Sequence, residues 1–151
     1  MAAKKTSPKR TNLLLVEADV LVRFVLAEYL RVCDITVIEA VRADDAKAVL
    51  VAGPEIHILL SDAQLAGEGS GFVLVQWVRR HRPAIETILT GSLASKAQAV
   101  SEIAARVPEC IPHGDAAQLI AKLNAMLAER KRRLRQQPKS APIRRRRQRA
   151  S

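Results

Sequence analysis

Apolar residues along the chain fall into two kinds of segment. Short continuous runs without an alternating polar face are typical of strands that are buried on both sides of a sheet. Longer segments, in which apolar residues recur every three or four positions, predict helices that cover those strands. The runs that predict strands are residues 12–16, 35–38, 56–60, 87–89 and 107–111.

A helix is predicted after each of these strands. Aspartate commonly precedes a helix because its side chain accepts hydrogen bonds from the free N–H groups of the first turn. Three of the predicted helices start this way, after Asp19, after Asp44 or Asp45, and after Asp115. The other two predicted helices cover residues 71–81 and 95–105.

Five strands that alternate with five helices predict a parallel sheet with both faces covered. Pro108 interrupts the fifth strand, which suits the edge of a sheet. In such sheets a crevice lies at the carboxyl ends of the strands, where the strand order reverses. For the order 2-1-3-4-5, strands one and three flank this crevice. We therefore expect Glu17 and Asp62, at the ends of those strands, to share a cleft.

Charge is divided unevenly along the 151 residues, whose formal net charge is +10. Residues 129–151 contain eleven Lys or Arg and one acid, whereas residues 11–128 contain ten basic and fourteen acidic residues. The sequence therefore predicts a basic disordered N-terminal tail at 1–10, one domain at 11–130 and an Arg-rich disordered tail at 131–151. The last helix could extend into that tail as far as about Gln137.

Several classes of protein are disfavoured by simple features. No apolar run approaches the ~20 residues of a membrane span, and the run LLLV is too short for a secretory signal, so we expect a cytoplasmic protein without a membrane span. Cys33 and Cys110 have no metal-ligand or redox spacing, which predicts buried free thiols. No glycine-rich phosphate loop follows strand one and no serine elbow is present, so an enzyme is not expected.

Nearly the whole of residues 11–128 resembles a response-regulator receiver domain, the phosphoacceptor module of two-component signalling. The resemblance implies a flavodoxin-like, doubly wound, five-stranded sheet of order 2-1-3-4-5 and a role in phosphorelay signalling, with no turnover beyond phosphoryl transfer to the chain itself. It depends on five stretches in the right order: VEADVLVR, LLSDAQLAGEGSGF, WVRRHRP, TILTGS and CIPHGDAAQLIAKL.

The resemblance also implies roles for individual residues. Asp62 is the phosphoacceptor, and Glu17 is an acid that holds Mg²⁺ with it, because hard cations prefer oxygen ligands. Asp19 adds to the acidic pocket, although it is better explained as a helix cap. The switch hydroxyl is Thr90 in one register; the other register puts Gly91 there, with Ser92 beside it.

Three positions depart from the family pattern. Ala18 replaces the second metal-binding acid, and Ala66 replaces a loop proline. His113 stands where a lysine would contact the phosphate, and it is the candidate for that contact. Loss of metal ligands weakens binding, so we expect a weak Mg²⁺ site at Glu17 and Asp62 and slow or absent phosphorylation.

Two functions remain open on these residues. A single-domain receiver would take phosphate from a histidine kinase or phosphotransfer protein, and it would signal to a downstream protein through the face of helix four, strand five and helix five. A degenerate receiver would instead act as a phosphorylation-independent protein-binding adaptor. In either case the basic tail could contact nucleic acid without sequence preference, or an acidic partner, through charge.

Overall fold

The computed structural model describes residues 10–65 and 69–137. Within these residues, four parallel strands form one sheet in the order β2-β1-β3-β4: β1 (Asn12–Val16), β2 (Thr36–Ala40), β3 (Ile58–Asp62) and β4 (Glu86–Thr90). Five helices accompany the sheet: α1 (Val20–Arg31), α2 (Ala43–Ala52), α3 (Gly71–His81), α4 (Leu93–Ala105) and α5 (Ala116–Gln136). The predicted α/β architecture, the parallel sheet and the five helices are confirmed.

The sheet is covered on both faces, which explains why its strands are continuously apolar. Leu13 and Leu15 of β1 pack with α1, α4 and α5, whereas Leu14 and Val16 pack with α2 and α3. All four side chains are buried. The site at the strand ends is therefore supported by a packed core on either side.

Side-chain caps fix the starts of several helices, as the aspartate pattern predicts. Asp19 Oδ1 accepts from the N–H groups of Leu21 and Val22 at 2.9 and 3.2 Å, and Asp115 Oδ1 accepts from the N–H of Gln118 at 2.9 Å. The second helix begins at Ala43, before both of its candidate caps.

The predicted fifth strand is wrong, because residues 107–111 form turns and irregular structure instead. Pro108 has no N–H to donate to a ladder. Glu109 has a φ of 65°, a left-handed conformation that an extended strand cannot contain. The sheet thus has four strands in the described residues and not five.

Helix α5 consequently packs on α1 and α4, and it runs antiparallel to α1. Near its start, the Tyr29 hydroxyl donates to the carbonyl oxygen of Gly114 at 2.9 Å. Near its end, Arg130 donates to both carboxylate oxygens of Asp19 at 2.9 and 2.7 Å. The helix therefore returns toward the carboxyl edge of the sheet, and it continues to Gln136, an extension that the sequence allowed.

The two cysteines form a disulfide, so the expectation of free thiols is wrong. Cys33 follows α1, and Cys110 lies in the connection between α4 and α5. The bond joins the end of α1 to the segment that stands in place of the predicted strand. Native disulfides stabilise small domains by about 2–4 kcal/mol.

Some predicted features fall outside the described residues. They are the N-terminal tail up to residue 9, the loop position Ala66, and the Arg-rich segment 138–151. Among the helices that the structure does describe, none combines the length and the apolar character required to cross a membrane.

Gly71 at the start of α3 provides a test of this packing. A Cβ atom at Gly71 would lie 1.7 Å from the carbonyl oxygen of Asp62, whereas one at Gly91 would meet no heavy atom within 4 Å. We expect Gly71→Ala to lower the free energy of unfolding by about 1–3 kcal/mol through overpacking, measured by urea denaturation. Gly91→Ala is the matched control and should stay within about 0.5 kcal/mol; equal effects would contradict the packing described here.

Candidate functional site

The carboxyl ends of β1 and β3 form the floor of an open cleft. Val16 and Ser61 are register partners in these neighbouring strands, so Glu17 and Asp62, one residue further along, reach the same edge. Both line a cleft of about 570 Å³. The structure thus brings together the two acids that the strand-end argument expects to meet, and Glu17 is buried there.

A lysine from α4 connects the two acids. The Nζ of Lys96 lies 2.7 Å from Oε2 of Glu17 and 3.1 Å from Oδ2 of Asp62. The Lys96 side chain is 10% exposed, and those of Glu17 and Asp62 are 4% and 13% exposed. Because the three groups are shielded from water, their attraction is screened less than that of a surface ion pair.

The remaining carboxylate oxygens of this pair also have donors. Oε1 of Glu17 accepts from the backbone N–H of Asp19 at 3.2 Å, and Oδ1 of Asp62 accepts from the backbone N–H of Gln64 at 3.2 Å. Across the described chain, no buried side-chain nitrogen or oxygen lacks a hydrogen-bond partner. In the Glu17–Lys96–Asp62 cluster, which we call the ion triad, every carboxylate oxygen and the ammonium therefore have a hydrogen-bond or ion-pair partner.

The ion triad holds Lys96 in its charged form. Burial by itself disfavours an ammonium and lowers the pKa of Lys96. Hydrogen bonding and Coulombic attraction, first to Glu17 and then to Asp62, together outweigh the effect of burial and raise this pKa above its usual value. Lys96 consequently remains a cation at neutral pH, as the geometry of the cluster requires.

Asp19 has two structural roles beside the ion triad. It caps α1 and forms a two-pronged ion pair with Arg130 of α5. The hydrogen bonds from Arg130, with help from the backbone donors of the cap, lower the pKa of Asp19 to about 2. The Asp19 carboxylate therefore bonds to α1 and α5, and it forms no hydrogen bond with the ion triad.

The two candidate switch hydroxyls differ in position. Thr90 ends β4 opposite Asp62 in register; it is buried, and its hydroxyl donates to the carbonyl oxygen of Ser61 at 3.4 Å. Ser92 caps α4, where its hydroxyl oxygen accepts from the N–H of Ser95 at 3.1 Å. Thr90 thus lies beside Asp62 on the neighbouring strand, while Ser92 fixes the start of the helix that carries Lys96.

His113, the predicted phosphate contact, lies outside the cleft in this structure. It lines a different cavity, with Phe24 and Tyr29 of α1 and Lys122 of α5. The reason is topological: the expected position depends on a fifth strand that returns the chain to the carboxyl edge, and that strand is not formed.

Lys96 is the site residue that the sequence prediction missed. One signal was available, because Lys96, Val100 and Ile103 share one helical stripe by their spacing of four and three residues. A lone lysine on the buried stripe of a helix needs an anionic partner. The two carboxylates at the strand ends are such partners.

The residues present do not fit the Mg²⁺ that the resemblance implies. Mg²⁺ requires oxygen ligands at about 2.0–2.1 Å in octahedral geometry. The ammonium of Lys96 already bridges the carboxylates of Glu17 and Asp62, so a cation occupies the position that Mg²⁺ would need. Ala18 adds no oxygen ligand from its side chain.

No protein-family model matches the sequence, and no curated protein matches it either. Solved structures do resemble the fold. A signal receiver domain of an HD domain-containing protein from Pseudomonas fluorescens Pf-5 is 21% identical, over 82% of this chain and 99% of that one, with a TM-score of 0.53. A response regulator receiver protein from Pseudomonas putida is 20% identical, over 80% and 99%, with a TM-score of 0.53.

A third similar structure is the MaeR response regulator bound to beryllium trifluoride, 22% identical over 80% of this chain and 98% of that one, with a TM-score of 0.50. The chain therefore has the fold of response-regulator receiver domains. The resemblance to receiver domains that the sequence predicts is confirmed for the fold.

The pair of Asp19 and Arg130 predicts a pH dependence of stability. Because the folded pKa of Asp19 is depressed to about 2, its contribution is complete above the unfolded value of about 3.9 and is lost as the pH falls from about 4 to about 2. Asp19→Asn keeps a cap but loses the ion pair. Its stability deficit against the wild type should shrink over that window, measured by urea denaturation.

Arg130→Gln serves as the second arm of this test. It removes the same ion pair from the other side, so its deficit should shrink over the same pH window, and the double variant should lose less than the sum of the singles. Additive losses that do not change with pH would contradict the assignment.

Proposed function

We propose that this chain is a receiver-fold signalling module that binds a partner protein without Mg²⁺-dependent phosphorylation of Asp62. The observation that carries the proposal is the ion triad, in which a buried lysine forms ion pairs with both acids that a receiver would use for metal and phosphate. A site whose charges are already compensated has little need of a metal ion.

The requirements of phosphoryl transfer support this reading. Transfer depends on positioning and on cations that neutralise the charge developing on the phosphoryl oxygens. In this chain both oxygens of Asp62 accept hydrogen bonds, one from Lys96 and one from the backbone of Gln64. Ala18 adds no carboxylate, and that of Asp19 is held by Arg130. The geometry therefore favours a pocket in which Asp62 stays paired over one in which Asp62 reacts with a phosphoryl donor.

A phosphorelay receiver with Asp62 as the acceptor is the second candidate. One observation favours it: an ammonium lies 3.1 Å from Asp62, and the resemblance expects such a cation at the position that His113 occupies. Lys96 would then offset charge on a phosphoryl group delivered by a histidine kinase or phosphotransfer protein. The difference between the two candidates is whether Asp62 accepts phosphate.

The output surface differs from the one inferred from the sequence. Because residues 106–115 form no strand between them, α4 and α5 pack directly against each other, and we assign the partner surface to these two helices. The last turns of α5 carry a dense basic run that continues toward the Arg-rich segment: Arg130, Lys131, Arg132, Arg133 and Arg135. Charge of this kind suits nucleic acid or an acidic protein as an additional partner.

Exposure to phosphoryl donors separates the two candidates. The wild type and Asp62→Asn are incubated with acetyl phosphate and Mg²⁺, and in parallel with beryllofluoride and Mg²⁺. We expect no increase in intact mass and no beryllofluoride-induced change in the amide NMR spectrum of the wild type, because the ion triad occupies the acids.

MaeR is the positive control for this experiment, since it has been solved with beryllium trifluoride bound. A phosphate adduct on the wild type that is absent from Asp62→Asn would refute the proposed function in favour of the phosphorelay receiver.

A further inference from the structure

Lys96 occupies an electrostatically unusual position in its own helix. It lies in the first turn of α4, just after the Ser92 cap, where the helix dipole and the free N–H groups disfavour a cation. The side chain is also withdrawn from water, which disfavours the ammonium again. Because the helix dipole and the withdrawal from water both disfavour this ammonium, it requires a specific compensating partner. The carboxylates of Glu17 and Asp62 are that partner.

The carboxylates of Glu17 and Asp62 depend on the Lys96 ammonium in turn. Without the ammonium, the buried Glu17 and the partly buried Asp62 would repel each other. Each would also lose its only charged partner within salt-bridge distance among the described residues. Their remaining contacts are the backbone N–H groups of Asp19 and Gln64. The cation and the acid pair therefore depend on each other.

We propose that Lys96 is an internal counter-cation that takes the place of a divalent metal, so that the acid pair is metal-independent and α4 is anchored to it. The inference rests on the proposed function in so far as both concern the same pocket. It adds the reason that the pocket needs no metal, and it names the residue whose removal would create a metal site.

The position of the cation on a helix has a structural consequence. A bound metal ion would neutralise the acids without connecting them to α4, whereas Lys96 joins Glu17 and Asp62 to a helix that packs against α1 and α5. The ion triad therefore fixes the start of α4 against the ends of β1 and β3. Removing the charge should loosen this end of α4 as well as destabilise the acids.

The test compares Lys96→Met with the wild type, using Mg²⁺ alone and Mn²⁺ alone as probes. We expect Lys96→Met to melt about 5–15 °C below the wild type without metal, because it leaves the buried carboxylate of Glu17 and the partly buried carboxylate of Asp62 unpaired. Millimolar Mg²⁺ should restore most of this loss. Mn²⁺ electron paramagnetic resonance should detect binding to Lys96→Met and none to the wild-type cleft.

Two further variants complete the design. Glu17→Gln combined with Lys96→Met removes one charge of each sign, so it should melt above Lys96→Met and should not respond to Mg²⁺. Lys122→Met replaces an exposed lysine of α5 and is the matched control for loss of a lysine, with a melting temperature and a metal response equal to those of the wild type.

Each alternative outcome overturns the proposal. Wild-type Mn²⁺ binding that Glu17→Gln abolishes would show that the metal coexists with Lys96. Lys96→Met with unchanged stability, or without any metal response, would show that the ammonium is not the counter-cation. Failure of Lys96→Met to fold in Mg²⁺, whether or not the double variant folds, would show that a metal cannot replace it.

The outcome also separates this inference from the proposed function. A wild type that accepts phosphate on Asp62 but binds no Mn²⁺ would refute the proposed function and leave the role of Lys96 intact. A wild type that binds Mn²⁺ at Glu17 without accepting phosphate would refute the role of Lys96 and leave the proposed function intact.

Discussion

A single buried ammonium connects the two acids at the carboxyl ends of β1 and β3. Lys96 contacts the acids at the ends of two neighbouring strands, and it does so from the first turn of α4. Neither the acids nor the lysine would be stable in this environment alone, because unpaired buried charges are costly. The cleft as a whole is balanced in the same way, with three carboxylates and three cations in its lining: Glu17, Asp19, Asp62, Lys96, Arg130 and Lys131.

Two of these cations, Arg130 and Lys131, come from α5 at the altered end of the fold. Residues 107–111 turn at Glu109 and form no strand. Helix α5 therefore packs on α1 and α4 and runs back toward the carboxyl ends of the strands. That direction brings Arg130 to Asp19 and moves His113 into a different cavity. The disulfide between Cys33 and Cys110 joins the same connection to the end of α1. One change in topology thus accounts for Arg130 and Lys131 in the lining of the cleft and for the position of His113 outside it.

Most of the fold could be predicted from local patterns, and the site only in part. The runs that form β1 and β3, the Asp19 and Asp115 caps, and the meeting of Glu17 with Asp62 follow from strand burial and parallel topology. The fifth strand could not be predicted reliably, because Val107 to Ile111 has the composition of an edge strand while Glu109 adopts a left-handed backbone. The disulfide and the ion triad depend on long-range packing. Their partners are separated by 77 residues for the cysteines and by 34 for Lys96 and Asp62.

The most direct measurement is a high-resolution crystal structure of the wild type grown in millimolar Mg²⁺. The account predicts electron density for the Lys96 ammonium in hydrogen-bond contact with Glu17 and Asp62, with no metal ion between the two carboxylates. An octahedral ion bound to both acids, with Lys96 displaced from the cleft, would contradict it.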